Sequence, residues 1–140
     1  MLKLIETNYN NYLITNNKKL LSLAQIYEFL SKSYWAKNRS KEIIKESIEH
    51  SECFGVYYKN EQVGFARIVT DYAVMYWLCD VYIDENHRKK GLGKKLIEVI
   101  VNNDELKKLT GILGTLDAHS LYEKYGFEKD KGRFMRRKVN

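Results

Sequence analysis

The run His87-Arg88-Lys89-Lys90-Gly91-Leu92-Gly93-Lys94-Lys95-Leu96 sets two glycines and five cations between the end of a predicted strand and the start of an amphipathic helix. Glycines at 91 and 93 let the backbone turn tightly and approach a ligand without a Cβ in the way. The free N–H groups of the helix's first turn then face an anion, and the positive end of the helix dipole adds to the pull. That is the build of a pyrophosphate cradle. The spacing Arg88-x-x-Gly91-x-Gly93 lacks the third glycine and later acid of a dinucleotide-binding turn, and it lacks the Gly-Lys-Ser/Thr ending of a P-loop.

Several elements must position this loop. Leu20, Leu23, Ala24, Tyr27 and Leu30 recur at helical spacing, and Ser40 ahead of Ile43, Ile44 and Ile48 predicts a second, serine-capped helix. Residues 53–58 and 63–70, rich in aromatic and β-branched side chains and joined by Lys59-Asn60-Glu61-Gln62, read as a hairpin. Residues 72–84 read as a central strand feeding the glycine loop. Leu92, Leu96, Val99 and Ile100 mark one face of the helix that follows. A strand is expected over 109–116, a short helix over 118–125 capped by Asp117 and ended by Gly126, and a last strand over 133–139. The order predicts one α+β (mixed α/β) domain over residues 1–140.

Composition narrows the class. With 140 residues and 44% hydrophobic content the chain can build its own core. No apolar run approaches the roughly 18 residues of a membrane span, and no signal-peptide pattern opens the sequence, so a cytoplasmic, membrane-free protein is expected. Cys53 and Cys79 have no companion ligands, so we expect reduced thiols and no metal. The net charge of +6 fits nucleic acid, an acidic surface or a small polyanion. Basic residues concentrate at 87–95 and at Arg133 with Arg136-Arg137-Lys138, and only the first cluster carries glycines at a helix start.

With these motifs in hand, the chain resembles the GNAT superfamily of N-acetyltransferases, whose signature is Arg/Gln-x-x-Gly-x-Gly/Ala at this junction. Val81-Tyr82-Ile83-Asp84-Glu85-Asn86-His87 ahead of it and Leu121-Tyr122-Glu123-Lys124-Tyr125-Gly126-Phe127 near the end extend the match. A narrower resemblance is to small bacterial acetyltransferases with Tyr-Trp-Ala-x-x-Arg-Ser, Thr-Asp-Tyr-Ala and Leu-x-Asp-Val segments, here at 34–40, 70–73 and 78–81. Glu85, Lys89 and Thr115 depart from the common proline, glycine and asparagine of the superfamily.

The resemblance implies a mostly antiparallel twisted sheet flanked by helices and splayed at an acetyl-CoA site. Arg88, Lys89, Lys90, Gly91, Leu92, Gly93 and Lys94 would hold the pyrophosphate, while Val81, Tyr82 and Ile83 would pair main chain with the pantetheine arm. A primary amine of a small molecule or peptide would attack the thioester in a ternary complex, the oxyanion meeting a backbone N–H near Val81 or Tyr82. Tyr122 matches the general acid that protonates the departing thiolate. Asp80 is a candidate base, or else a structural carboxylate; His119 is a second candidate, because imidazoles exchange protons near neutral pH. The acceptor site would draw on Tyr34, Trp35 and Arg39 with Asp71 and Tyr72 across the sheet, aromatic faces and a carboxylate suiting a cationic amine. Trp35 could equally plug the core.

Two competing readings are a nucleic-acid-binding module built on residues 87–95, and a CoA-binding sensor without turnover. Against the first, phosphate-backbone binding requires no glycines, and the tyrosines follow strand spacing instead of forming one stacking platform. The expected partners are therefore an amine acceptor and no nucleic acid, with a homodimer possible.

Overall fold

The computed structural model describes residues 1–139. Its six strands lie side by side in chain order: β1 (Glu6–Tyr9), β2 (Tyr12–Thr15), β3 (Glu52–Tyr58), β4 (Glu61–Thr70), β5 (Met75–Ile83) and β6 (Thr110–Leu113). The first five pair antiparallel and β6 joins β5 in parallel. A parallel neighbour needs a crossover, and α3 (Leu92–Val101) supplies it. Helices α1 (Leu23–Ser31) and α2 (Lys41–Glu49) separate β2 from β3, and the short α4 (His119–Glu123) follows β6.

Local chemistry accounts for most boundaries. The Ser22 and Ser40 hydroxyls accept from the amides of Gln25 and Ile43, both at 3.2 Å, capping α1 and α2. The β3–β4 turn places Lys59 and Asn60 at φ 48° and 70°, the paired positive φ angles whose twist matches a tight hairpin. Neighbouring residues on a strand point to opposite faces, and the core divides accordingly. Ile26, Phe29, Leu30 and Ile44 of α1 and α2 pack with Cys53 and Phe65. On the other face Leu92, Leu96, Ile97 and Ile100 of α3 pack with Ile14, Phe54, Val56 and Ile68. Each of those four fully buried α3 side chains contributes about 1.5–3 kcal/mol, so the helix behind the glycine loop is firmly seated.

The sheet differs from the sequence reading at both ends. The hairpin β1–β2 was not expected, because its four-residue strands are broken by Asn8, Asn10 and Asn11 and form through pairing with β3. Conversely, no strand forms over 133–139 among the described residues. That stretch carries Arg133, Arg136, Arg137 and Lys138, and with no strand beside it Phe134, Met135 and Val139 stay exposed. Asp117 does not cap α4; Ala118 occupies that position, and the Thr115 hydroxyl accepts from its amide at 3.0 Å.

Candidate active site

β5 and β6 share only four register pairs, from Met75–Thr110 to Leu78–Leu113. From Cys79 to Ile83, β5 therefore has no β6 partner on that side, and a cleft of about 950 Å³ opens there. Its walls include Val81, Tyr82 and Ile83 of β5, Arg88, Lys89 and Gly91–Lys94 of the loop and α3, Ser33–Trp35 of the α1–α2 connection, and Asp117, Ala118 and Tyr122 beside α4. Most of the residues expected to hold the cofactor thus meet Tyr34, Trp35 and Tyr122 in one groove, whereas Lys90, Arg39, Asp80, His119, Asp71 and Tyr72 are not among its walls.

The loop owes its shape to Gly91 and to the unforeseen hairpin. Gly91 has φ 80°, a left-handed conformation that disfavours a Cβ, and a Cβ there would stand 2.7 Å from the Tyr9 hydroxyl. That hydroxyl donates to the Lys90 carbonyl at 3.2 Å, and Tyr12 hydrogen-bonds His87 Nδ1 at 2.8 Å. Gly93 is different. A Cβ on it would meet only Ile83 Cγ1, at 3.9 Å, so no protein neighbour excludes a side chain there. The amides of Leu92, Gly93 and Lys94 begin α3, ahead of its first bond from Lys95 to the Gly91 carbonyl. Arg88 Nε donates to the Ile83 carbonyl at 2.9 Å, with its guanidinium 5.1 Å above the Tyr82 ring.

Tyr122 is 9% exposed, and burial foremost, with Tyr34 and Asp117 nearby, pushes its phenol up to about 12. Asp80 is spoken for. Trp35 Nε1 donates to Oδ1 at 2.9 Å, while Arg39 Nη1 and Arg67 Nε each donate to Oδ2 at 2.8 Å. Both carboxylate oxygens are thus engaged by structural groups, and Asp80 is not among the walls of the cleft, which argues against its use as the base. His119 opens α4 but lines a different cleft, of about 790 Å³, between β6 and residues 125–134. Asp71 and Tyr72 sit in the β4–β5 turn, at the end of β5 opposite the loop, some nine residues or about 30 Å of strand away. There the Asp71 carboxylate accepts from the amides of Ala73, Val74 and Met75, which lowers its pKa, and the Tyr72 hydroxyl donates to Glu52. Both are committed to the turn, not to the cleft. Burial pushes the Cys79 thiol up to about 11, an unreactive setting.

Sequence reasoning missed three groups. Tyr9 and Tyr12 were hidden with their hairpin; Asp117 was assigned to capping. Its carboxylate makes no hydrogen bond or ion pair among the described residues and lines the cleft beside Tyr122. Trp35, 41% exposed, is not a core plug: its indole N–H is fixed on Asp80 while the residue lines the cleft.

The acetyltransferase (GNAT) domain profile matches residues 49–129, more than half of the sequence. The chain belongs to the GNAT family. A GNAT-family protein from Xanthomonas campestris pv. campestris has the same fold at a TM-score of 0.88 and 33% identity, covering 94% of this chain and 96% of that one. A GNAT acetyltransferase from Elizabethkingia anophelis, solved with acetyl-CoA bound, shares the fold at a TM-score of 0.66 and 21% identity, over 86% of this chain and 78% of that one. The spermine/spermidine N(1)-acetyltransferase of Bacillus subtilis is 32% identical over 87 residues, 53% of this chain and 57% of its own length. An acetyltransferase of Gibberella zeae is 27% identical over 110 residues, 64% of this chain and 62% of its own. The chain thus spans about 60% of the length of these curated relatives. In this GNAT domain the matched segment runs from the end of α2 past α4 and contains every cleft wall except Lys32–Trp35.

Proposed function

We propose that this GNAT domain transfers an acetyl group from acetyl-CoA to a primary amine of a small molecule or peptide, in a ternary complex. The observation that carries the reading is the convergence of the glycine loop, the unpaired edge of β5 and the buried Tyr122 phenol on one cleft. The space at Gly93 supports a cofactor that approaches the backbone closely, since no protein atom explains the missing side chain. When bound, acetyl-CoA supplies a thioester carbonyl as the electrophile.

The chain's residues have distinct parts in this scheme. The first-turn amides of α3, with Arg88, Lys89 and Lys94, hold the pyrophosphate. Val81, Tyr82 and Ile83 offer main-chain groups to the amide-bearing arm, and a backbone N–H at Val81 or Tyr82 faces the negative charge that develops on oxygen. Tyr122, with a pKa near 12, keeps its proton throughout the neutral range, so it acts as a donor to the departing sulfur and not as a base. The acceptor enters past Tyr34 and Trp35, whose aromatic faces favour a cation. Asp117 is the carboxylate available to the amine at that end, taking the place we expected for Asp71.

The test is thiol release from acetyl-CoA across a panel containing a polyamine, an amino sugar phosphate and a peptide with a free N-terminus. Release with at least one amine, and an acetylated product by mass spectrometry, is expected. Tight acetyl-CoA binding with no release from any amine would support the sensor reading instead.

A further inference from the structure

The Asp80 carboxylate is 4% exposed, and every polar tie it makes is to an arginine or to Trp35. It stands in a β-bulge: Phe65 pairs Tyr82 and Arg67 pairs Cys79, so the single residue Ala66 faces both Asp80 and Val81. Asp80 itself has φ 53°, a conformation aspartate tolerates better than most residues. A bulge re-aims the side chains at its position. Here it sets the carboxylate against the α1–α2 connection, immediately before the strand segment that lines the cleft.

We propose that Asp80 is a positioning residue: by holding Trp35 and Arg39, it latches the α1–α2 connection to the bulged strand and fixes the aromatic wall over which the amine enters. The latch rests on the proposed acetyltransferase reading. Arg67 completes it from β4, where Nη1 also donates to Ser51 at 3.1 Å. Two guanidiniums at 2.8 Å give the buried carboxylate the charged partners such a group requires. Beyond Ala36, which packs in the core with α1 and α2, the connection has few other ties to the rest of the fold. Tyr34 packs edge-on to Trp35 at 5.0 Å, and its hydroxyl accepts from the Leu116 amide at 3.2 Å. Lys32 reaches Glu85 only at 3.9 Å between exposed side chains, a weak pair. Tyr34 and Trp35 therefore span the cleft, one anchored beside α4 and the other on Asp80. The latch also joins two of the sequence segments that stood out, residues 34–40 and 78–81.

The cofactor loop is held independently, by Tyr9 and Tyr12. Loosening the latch should therefore separate the two substrates, which a general loss of stability would not do. Asp80→Asn keeps the size and the tolerance of positive φ but removes the charge; Trp35→Phe keeps an aromatic face but removes the N–H. With the most reactive amine of the panel, each should raise the amine KM about tenfold while the acetyl-CoA KM changes less than about twofold. The double variant should be worse by less than the product of the two single effects, because both substitutions act on the same hydrogen-bonded cluster. Should Asp80→Asn fail to fold, Trp35→Phe carries the same test. Folded variants with unchanged amine KM, or with both KM values moving together, would overturn the latch while leaving the acetyltransferase reading intact. A wild type that turns over no amine would overturn that reading and the latch with it.

Discussion

At Tyr122, burial decides what the phenol can do. An exposed tyrosine titrates near 10, whereas this one is pushed up to about 12. In the folded protein the neutral form is favoured, so any stabilisation it brings is complete below about pH 10 and is lost as pH rises through 12. We expect kcat to show no break between pH 8 and pH 10 that is lost in Tyr122→Phe; such a break would mean a phenol ionising far below its buried value. The same substitution should lower kcat by about 10²-fold or more, the usual range for a positioned proton donor, with acetyl-CoA affinity nearly unchanged. Equal turnover at saturating substrates would reduce Tyr122 to packing against Phe127, whose ring lies 6.0 Å away. The sequence revealed Tyr122 because its surrounding motif is local. It could not reveal that Asp80 is saturated, because Trp35, Arg39 and Arg67 reach it from positions 45, 41 and 13 residues distant.

At the scale of elements, the β1–β2 hairpin does more for the cofactor loop than its length suggests. Tyr9 and Tyr12 lie at its turn and reach Lys90 and His87, so a segment without obvious chemistry shapes the backbone at Gly91. Tyr9→Phe removes one hydrogen bond of about 1 kcal/mol, and we expect acetyl-CoA affinity to fall about fivefold in calorimetry; an unchanged affinity would show that the Tyr9 hydroxyl does not shape the loop. The β4–β5 turn supplies the opposite control. Asp71 and Tyr72 are engaged with the turn amides and Glu52, and Tyr72→Phe should leave the amine KM unchanged, whereas a large rise would restore it to the acceptor site. The glycine loop and α3 were legible because periodicity, caps and glycines are written within a few residues. The hairpin was not, because Glu6–Thr15 becomes a sheet only through Tyr12–Thr15 pairing with Gly55–Tyr58, some forty residues away. The residues at 133–139 illustrate the converse: strand-like composition forms no strand without a neighbour to pair with.

Across the whole molecule, a net charge of +6 acquires meaning from where the sheet parts. Arg88, Lys89 and Lys94 line the groove left when β6 stops at Leu113, next to the unpaired edge of β5, where the proposed reading needs their field for the pyrophosphate. If this groove is the acetyl-CoA site, Gly93 isolates that role, since a Cβ there would meet nothing outside its own helix turn and chain neighbours closer than Ile83 Cγ1 at 3.9 Å. Calorimetric titration of acetyl-CoA into the wild type and Gly93→Val, with thermal unfolding to confirm that the variant is folded, is the most direct measurement. Saturable binding to the wild type and at least about a hundredfold weaker binding to a folded variant, a loss of about 2.7 kcal/mol, is the predicted result; equal affinities, or no binding by the wild type, would contradict it.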